Sequence, residues 1–428
     1  MKFSVYTLGC KVNQYESSVM ETEFRQAGYE IVEAGQPCDV CCINTCAVTE
    51  ESARKSRQIV RRMRALNPDA VIAVVGCMSQ TSPEVRDMTE ADIVLGTGSK
   101  TRLTEYVSRF SENRQRIYDV RNPGQEKAFE KMTSDRSERT RAYIKIQDGC
   151  NNFCSYCIIP YARGRIRSKD EAEAVEEVGN LVRDGGYKEI VLTGIHLDNY
   201  GLDGNSTDLC TLLEKIDRIP GLERIRLGSL EPVFITGETV RRLAALKHLC
   251  PQFHLSLQSG CAETLKRMNR HYTPGEYYDA VELLRRYIPD TSVTTDIIVG
   301  FPGETDGEFA ETVSFAEKIG FLKIHVFPFS ERKGTAAEKM PGKTDKKTKS
   351  LRVAELNRVS EKSGAEFMKR YVGKTVPVLF EREKNGYSGG YTPNYIDVRV
   401  PGATGLCNEL RNVTITQVFE DFAIGVLQ

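Results

Sequence analysis

No stretch of this chain runs through roughly 18 consecutive apolar residues, so the sequence offers no candidate membrane-spanning helix. The opening MKFSVYTLGC has too short an apolar run for a secretory signal, and the expectation is a cytoplasmic protein. Net charge is lacking as well. The 59 Lys and Arg residues balance 59 Asp and Glu, so any contact with nucleic acid must come from local patches rather than a global field. At 428 residues the chain is long enough for two or three domains with cores of their own. Cysteine, by contrast, is plentiful: 13 residues without a secretory signal favour metal or redox chemistry over disulfides.

Six of these cysteines form two trios. Cys10, Cys46 and Cys77 are scattered, whereas Cys150, Cys154 and Cys157 are packed into CNNFCSYC. A closed four-iron cluster takes four thiolates, so three leave one iron open to a small molecule. Two such centres point to chemistry rather than electron storage. Zinc is the rival for the compact trio, but it needs a fourth ligand nearby and no His or Cys follows closely. Cys41 and Cys42 lie inside an apolar run and read as inert core residues. Cys38 stays outside the trios because it precedes a strand, and Cys210, Cys250, Cys261 and Cys407 lack partners at ligand spacing.

The pattern along the chain is α/β, then all-β. Residues 1–121 alternate the apolar runs FSVYTLGC, DVCCINTC, AVIAVVGC and ADIVLGTG with helical stretches such as Glu50–Leu66, as a parallel α/β domain does. The first three runs each end in a trio cysteine. Loops at the carboxyl ends of parallel strands converge on one sheet edge, which is the reason for grouping Cys10, Cys46 and Cys77. Residues 122–140 are polar and suit a linker. Residues 141–342 hold six strand–helix units, a partial (β/α)6 barrel with chemistry expected at its carboxyl-end mouth. Residues 343–370 form a connecting basic helix with nine Lys and Arg against four Asp and Glu. Residues 371–428 consist of short strands between Gly, Pro and Asn turns, as in a small all-β barrel.

The spacing CxxxCxxC after the first barrel strand resembles the signature of the radical S-adenosylmethionine (SAM) superfamily. The resemblance implies that Cys150, Cys154 and Cys157 hold a catalytic 4Fe-4S cluster whose open iron chelates SAM. One electron then cleaves the cofactor to a 5′-deoxyadenosyl radical. Cofactor contacts are expected at later strand ends: Thr193 and Gly194 in TGIH, Ser229 and Glu231 in GSLEP, and Gln258. Gly300 would let backbone approach the adenine, and Arg163 would meet a carboxylate as a planar fork.

TLGCKVNQYES, NTCAV, GCMSQ and CNNFCSYCIIPYARGRIRS, followed by a terminal β-barrel, resemble the methylthiotransferase branch of that superfamily over essentially the whole chain. The first string is most similar to enzymes acting on N6-threonylcarbamoyladenosine (t6A) in tRNA. The resemblance implies a second 4Fe-4S cluster on Cys10, Cys46 and Cys77, two SAM molecules per turnover, and a TRAM-like RNA-binding barrel at the end. It implies methylthiolation at C2 of t6A beside the anticodon, a tRNA anticodon loop as partner, and an electron donor such as a flavodoxin-type reductase. A base buried in a loop must be splayed out to reach a barrel mouth. The basic candidates for RNA are Arg54, Lys55, Arg57, Arg61, Arg62 and Arg64 on one helix, and Lys343, Lys346, Lys347 and Lys349 on another. Tyr387, Tyr391 and Tyr395 are candidate stacking platforms, although their barrel is slightly acidic. The alternatives are isopentenyladenosine in tRNA, a ribosomal-protein aspartate, or a non-catalytic iron–sulfur electron-transfer protein.

Overall fold

The computed structural model describes residues 1–135, 140–204 and 207–428; within the expected linker, positions 136–139 lie outside the described residues. The first layer is a six-stranded parallel sheet. Its strands are β1 (Lys2–Thr7), β2 (Glu30–Ile31), β3 (Val40–Thr45), β4 (Val71–Gly76), β5 (Ile93–Leu95) and β6 (Ile117–Asp119), in the order β2-β1-β3-β4-β5-β6. All six residues of β3 are buried, as befits a strand covered on both faces. Their alternation sends Cys42 to one face with Met20 and Phe24, and Cys41 to the other with Val60 and Met63. Both cysteines are core residues, as expected. Helices α1 (Lys11–Gln26), α2 (Glu50–Leu66), α3 (Cys77–Thr81) and α4 (Leu103–Asn113) cover the sheet.

The barrel strands are β7 (Arg141–Lys145), β10 (Glu189–Thr193), β11 (Arg224–Leu227), β12 (Ser229–Leu230), β13 (Gln252–Leu255), β14 (Ser292–Val299) and β15 (Lys323–Pro328). They pair in parallel as β11-β10-β7 and β12-β13-β14-β15, and a bridge between Ile225 and Leu249 joins the two arcs. A short antiparallel ribbon, β8 (Gln147–Asp148) with β9 (Arg167–Ser168), frames the compact trio. The outer helices are α5 (Ile159–Arg163), α6 (Glu171–Arg183), α7 (Leu209–Ile216), α8 (Gly237–Ala244), α9 (Ala262–Arg267), α10 (Pro274–Tyr287) and α11 (Asp306–Ile319). Asp170, Asp208 and Thr236 are the N-caps of α6, α7 and α8, each accepting from the backbone of the first turn.

The basic helix α12 (Lys346–Lys369) leads to β16 (Thr375–Lys384), β17 (Tyr387–Tyr391), β18 (Asp397–Pro401), β19 (Leu410–Val418) and β20 (Ala423–Leu427), which close as β16-β17-β18-β20-β19. Phe367, Met368 and Tyr371 pack into this barrel's core together with Leu322. The barrel covers the amino ends of the strands of the central domain: Arg224 donates to the carbonyls of Tyr391 (2.9 Å) and Pro377 (3.0 Å), and Ser292 donates to that of Asn394 (2.7 Å). The polar stretch after residue 122 is no loose tether. Met132 is buried against Tyr15 and Val19, and its carbonyl accepts from Tyr15 Oη (2.9 Å) and Lys169 Nζ (2.6 Å).

Candidate functional site

The scattered trio gathers at one sheet edge. Strands β1, β3 and β4 are parallel neighbours, and their carboxyl ends deliver Cys10, Cys46 and Cys77. Two glycines make the approach tight enough. Gly9 (φ 105°) and Gly76 (φ 104°) adopt conformations that L side chains avoid; a Cβ on Gly9 would stand 2.9 Å from Cys46 Cβ, and one on Gly76 would stand 2.7 Å from the Thr45 carbonyl. Asn13 ties the loops together, donating to the carbonyls of Leu8 (2.7 Å) and Thr45 (3.0 Å). Burial, followed by the neighbouring Cys77, pushes the Cys46 thiol up to about 11. Cys10, by contrast, is exposed at the wall of a large cavity.

The compact trio follows β8. Cys150 Sγ lies 3.7 Å from His196 Nδ1, and Cys154 Sγ accepts from Arg270 Nη1 at 3.2 Å. Arg270 also pairs with Glu231 and donates to Tyr272 Oη (3.1 Å). Burial and then the charge of Cys154 push Cys157 up to about 12. Metal ligation requires thiolates, which burial disfavours, and each trio has a buried arginine to balance the charge: Arg163 at the first, Arg270 at the second. Among the described residues, three potential ligand atoms lie within 4.8 Å of one another at His254, Asp296 and His325. Three soft sulfurs beside a cation are the donor set that suits a four-iron cluster.

From Cys10 to the barrel mouth runs a cavity of about 790 Å³. Cys10, Lys11 and Val48 line it from the first domain, Thr193, Gly194 and Ser229 from the barrel mouth, and His254, Asp296 and His325 from its inner wall. Tyr391 and Tyr395 close it from below. His254 Nε2 is buried without a hydrogen-bond partner and lies 3.4 Å from Asp296 Oδ2. Burial, opposed by Asp296, lowers the affinity of His325 for a proton.

The expected cofactor contacts divide. Thr193, Gly194 and Ser229 face the large cavity. Glu231 turns into a smaller hollow with His196, Asp198 and Arg270 beside the compact trio, its carboxylate engaged by Arg270. Gln258 (φ 66°) is held by backbone bonds to Asp296 and Ile298. At Gly300 the space a side chain would take is filled by the stem of Lys349. Arg163 requires a correction. Its planar fork does meet carboxylates, but they are the protein's own: Glu16 at 2.8 Å and Asp148 at 3.2 Å, with Asn13 Oδ1 at 2.7 Å. It is fully buried and absent from both cavity walls, so it locks the first domain to the barrel.

The basic helices are partly spent on internal pairs. Arg54 and Lys55 pair with Glu51, Arg57 with Glu50, Arg61 with Glu90, and Arg64 with Asp92; Lys343 pairs with Glu331. Tyr391 and Tyr395 stack on each other at 4.6 Å, with Arg141 over both rings, so they seal the joint between the barrels. The residues that sequence reasoning passed over are those whose charge looks like ordinary surface: Lys11, Arg270, His254, Asp296 and His325. For Lys11, Asn13 and Glu16 a signal existed, since they sit in the TLGCKVNQYES string, but no chemistry attached to them individually.

Comparison with known proteins agrees with this geometry. Residues 144–316 match the radical SAM superfamily, and residues 2–96 match the uncharacterized protein family UPF0004. The threonylcarbamoyladenosine tRNA methylthiotransferase MtaB of Bacillus subtilis is 41% identical over 418 residues, which is 96% of this chain and 92% of that protein. The MtaB of Thermotoga maritima is 38% identical over 98% of this chain and 96% of its own length. The tRNA-2-methylthio-N(6)-dimethylallyladenosine synthase of Pelotomaculum thermopropionicum is 34% identical over 100% of this chain and 97% of its own. Among solved structures, the radical SAM methyltransferase TsrM of Kitasatospora setae shares the fold, with a TM-score of 0.59 at 17% identity over 79% of this chain and 77% of that one. Sequence kinship over the full length, together with one cysteine trio on a parallel sheet and a second on a partial barrel, makes this chain a member of the radical SAM methylthiotransferase family.

Proposed function

We propose that the protein converts t6A beside the tRNA anticodon into its 2-methylthio derivative. The observation that carries this reading is a cavity that runs from Cys10 to the barrel strand ends at Thr193, Gly194 and Ser229, giving a base room between the first domain and the barrel mouth. The relatives named for t6A, at 37–41% identity, stand above those named for dimethylallyladenosine, at 34–35%. On this reading Cys150, Cys154 and Cys157 hold the cluster that binds SAM, and Cys10, Cys46 and Cys77 hold the auxiliary cluster. When bound, these groups supply the radical that opens an unactivated aromatic C–H bond and the sulfur that replaces the hydrogen.

The protein's own residues place and shield the reactants. Thr193, Gly194 and Ser229 present polar strand-end groups to the cavity, and apolar Val12, Ile195 and Leu227 limit water there. Arg270 balances negative charge at Cys154 and fixes Glu231. Residues 1–121 form the auxiliary-cluster unit, 141–342 the radical barrel and 371–428 the RNA-binding TRAM-like barrel. A flavodoxin-type reductase is the electron donor this reading calls for, and a tRNA substrate places the protein in the cytoplasm. No helix among the described residues is long and apolar enough to cross a membrane.

Nucleoside digests of tRNA from cells with and without the protein test the proposal. The expected result is 2-methylthio-t6A only where the protein is present. A 2-methylthio-isopentenyladenosine that depends on the protein would redirect the substrate, and an unchanged digest would refute a tRNA substrate.

A further inference from the structure

Lys11 is the first residue of α1 and the immediate neighbour of Cys10, and it lines the large cavity from the side of the scattered trio. It is half-buried there, and among the described residues no carboxylate forms a salt bridge with it. The other charged groups of the cavity wall are disposed differently. Asp296 lies against His254, Asp397 is taken up by Arg382 and Arg399, Lys323 stands on β15, and Glu361, Glu420 and Asp421 line the cavity as exposed residues. An ammonium kept half-dry without a counter-ion is costly. A bound anion would relieve that cost.

Resting on the t6A reading above, we infer that Lys11 is the residue that selects the substrate, by pairing with the carboxylate of the threonyl group. The chemistry of the nucleoside agrees with the position. In an N6-ureidopurine the outer ureido N–H folds back onto N1 of the base, which carries the threonyl group toward the C2 edge. C2 is the atom that receives sulfur. A cation that holds the carboxylate therefore belongs beside the auxiliary trio, and Lys11 adjoins Cys10. An isopentenyl group offers no such anion, so the same lysine would leave a buried charge unpaired against that substrate, which is how a site rejects a near relative.

The test uses reconstituted full-length enzyme and two synthetic anticodon stem-loops, one carrying t6A and one its primary amide, which removes the charge and keeps the shape. Wild type is expected to favour the acid in kcat/KM by roughly 10- to 100-fold, the range for a hydrogen bond to a charged group. Lys11→Met should erase that ratio while the iron content stays at about eight per chain, Lys11→Glu should invert it, and Lys11→Arg should keep most of it. A general structural role for Lys11 would slow both substrates alike and leave the ratio standing. If Lys11→Met or Lys11→Glu preserves the preference for the acid, the inference is overturned. If wild type methylthiolates neither stem-loop, the t6A reading itself falls, and this inference with it.

Discussion

Alanine at Cys150, Cys154 and Cys157 together is expected to halve the iron of the anaerobically reconstituted protein, from about eight to about four per chain, and to reduce 5′-deoxyadenosine formation to background. The reason lies in the separation of the two trios. One is carried on the loop after β8 at the barrel mouth, the other on the carboxyl edge of a different sheet, and no cysteine serves both. Cys154 is also the anchor for Arg270, which in turn holds Glu231, so the variant frees a buried guanidinium at the mouth as well as removing ligands. The matching triple at Cys10, Cys46 and Cys77 should lose the other half of the iron. Cofactor cleavage that survived loss of the compact trio would show that the centres have been assigned to the wrong chemistry.

Glu16→Ala is expected to cost about 3–5 kcal/mol of stability, the usual penalty for removing one side of a buried ionic network. Glu16 is wholly buried and accepts from Lys145 (2.8 Å) and Arg163 (2.8 Å) and pairs with Lys100; without it, Asp148 alone faces Lys145 and Arg163. Because Lys145 and Arg163 belong to the barrel and Glu16 to α1, the loss should appear as separation of the first domain. Denaturant unfolding followed by calorimetry would measure the loss, and protease cleavage near residues 122–135 would report the separation.

The pH dependence has a definite sign. Burial pushes the Glu16 carboxyl up, but Arg163, Lys100 and Lys145 outweigh it and hold it well below the usual range; Asp148 is lowered in the same way, burial again opposed by Lys145 and Arg163. Carboxyls depressed on folding stabilise fully above their unfolded values, roughly pH 4, and lose that contribution as pH falls below them. Wild type should therefore weaken below about pH 4 more steeply than Glu16→Ala. A loss under about 1 kcal/mol, or an unchanged acid limb, would mean the network does not join the domains.

Much of the architecture was legible because it obeys local rules. The helix expected at Glu50–Leu66 forms over those same residues, and the strand–helix alternation expected over 141–342 forms the partial barrel. The cysteine trios were legible from spacing and from their place after strands. What escaped were long-range partners. The role of Arg163 depends on Glu16, 147 positions away, and no spacing rule connects them. The 122–140 stretch is polar in composition, yet buries Met132 against a helix from the first domain. Tyr387 and Tyr391, expected as stacking platforms, delimit strand β17 (YSGGY). Gly390 is required there because a Cβ on it would come within 2.2 Å of the Leu379 carbonyl across the tight barrel. Lys11 escaped because a lone charge beside a ligand cysteine is indistinguishable, in sequence, from a solvated one.

The central claim is that each metal centre is held by three protein sulfurs and keeps one iron free for another molecule. Mössbauer spectroscopy of protein reconstituted with iron-57, recorded before and after adding SAM, tests it most directly. The account predicts about eight irons per chain in two four-iron clusters, with a single iron of one cluster changing its parameters when SAM binds. Two clusters whose irons are all bound by protein side chains, and whose spectra do not respond to SAM, would contradict it.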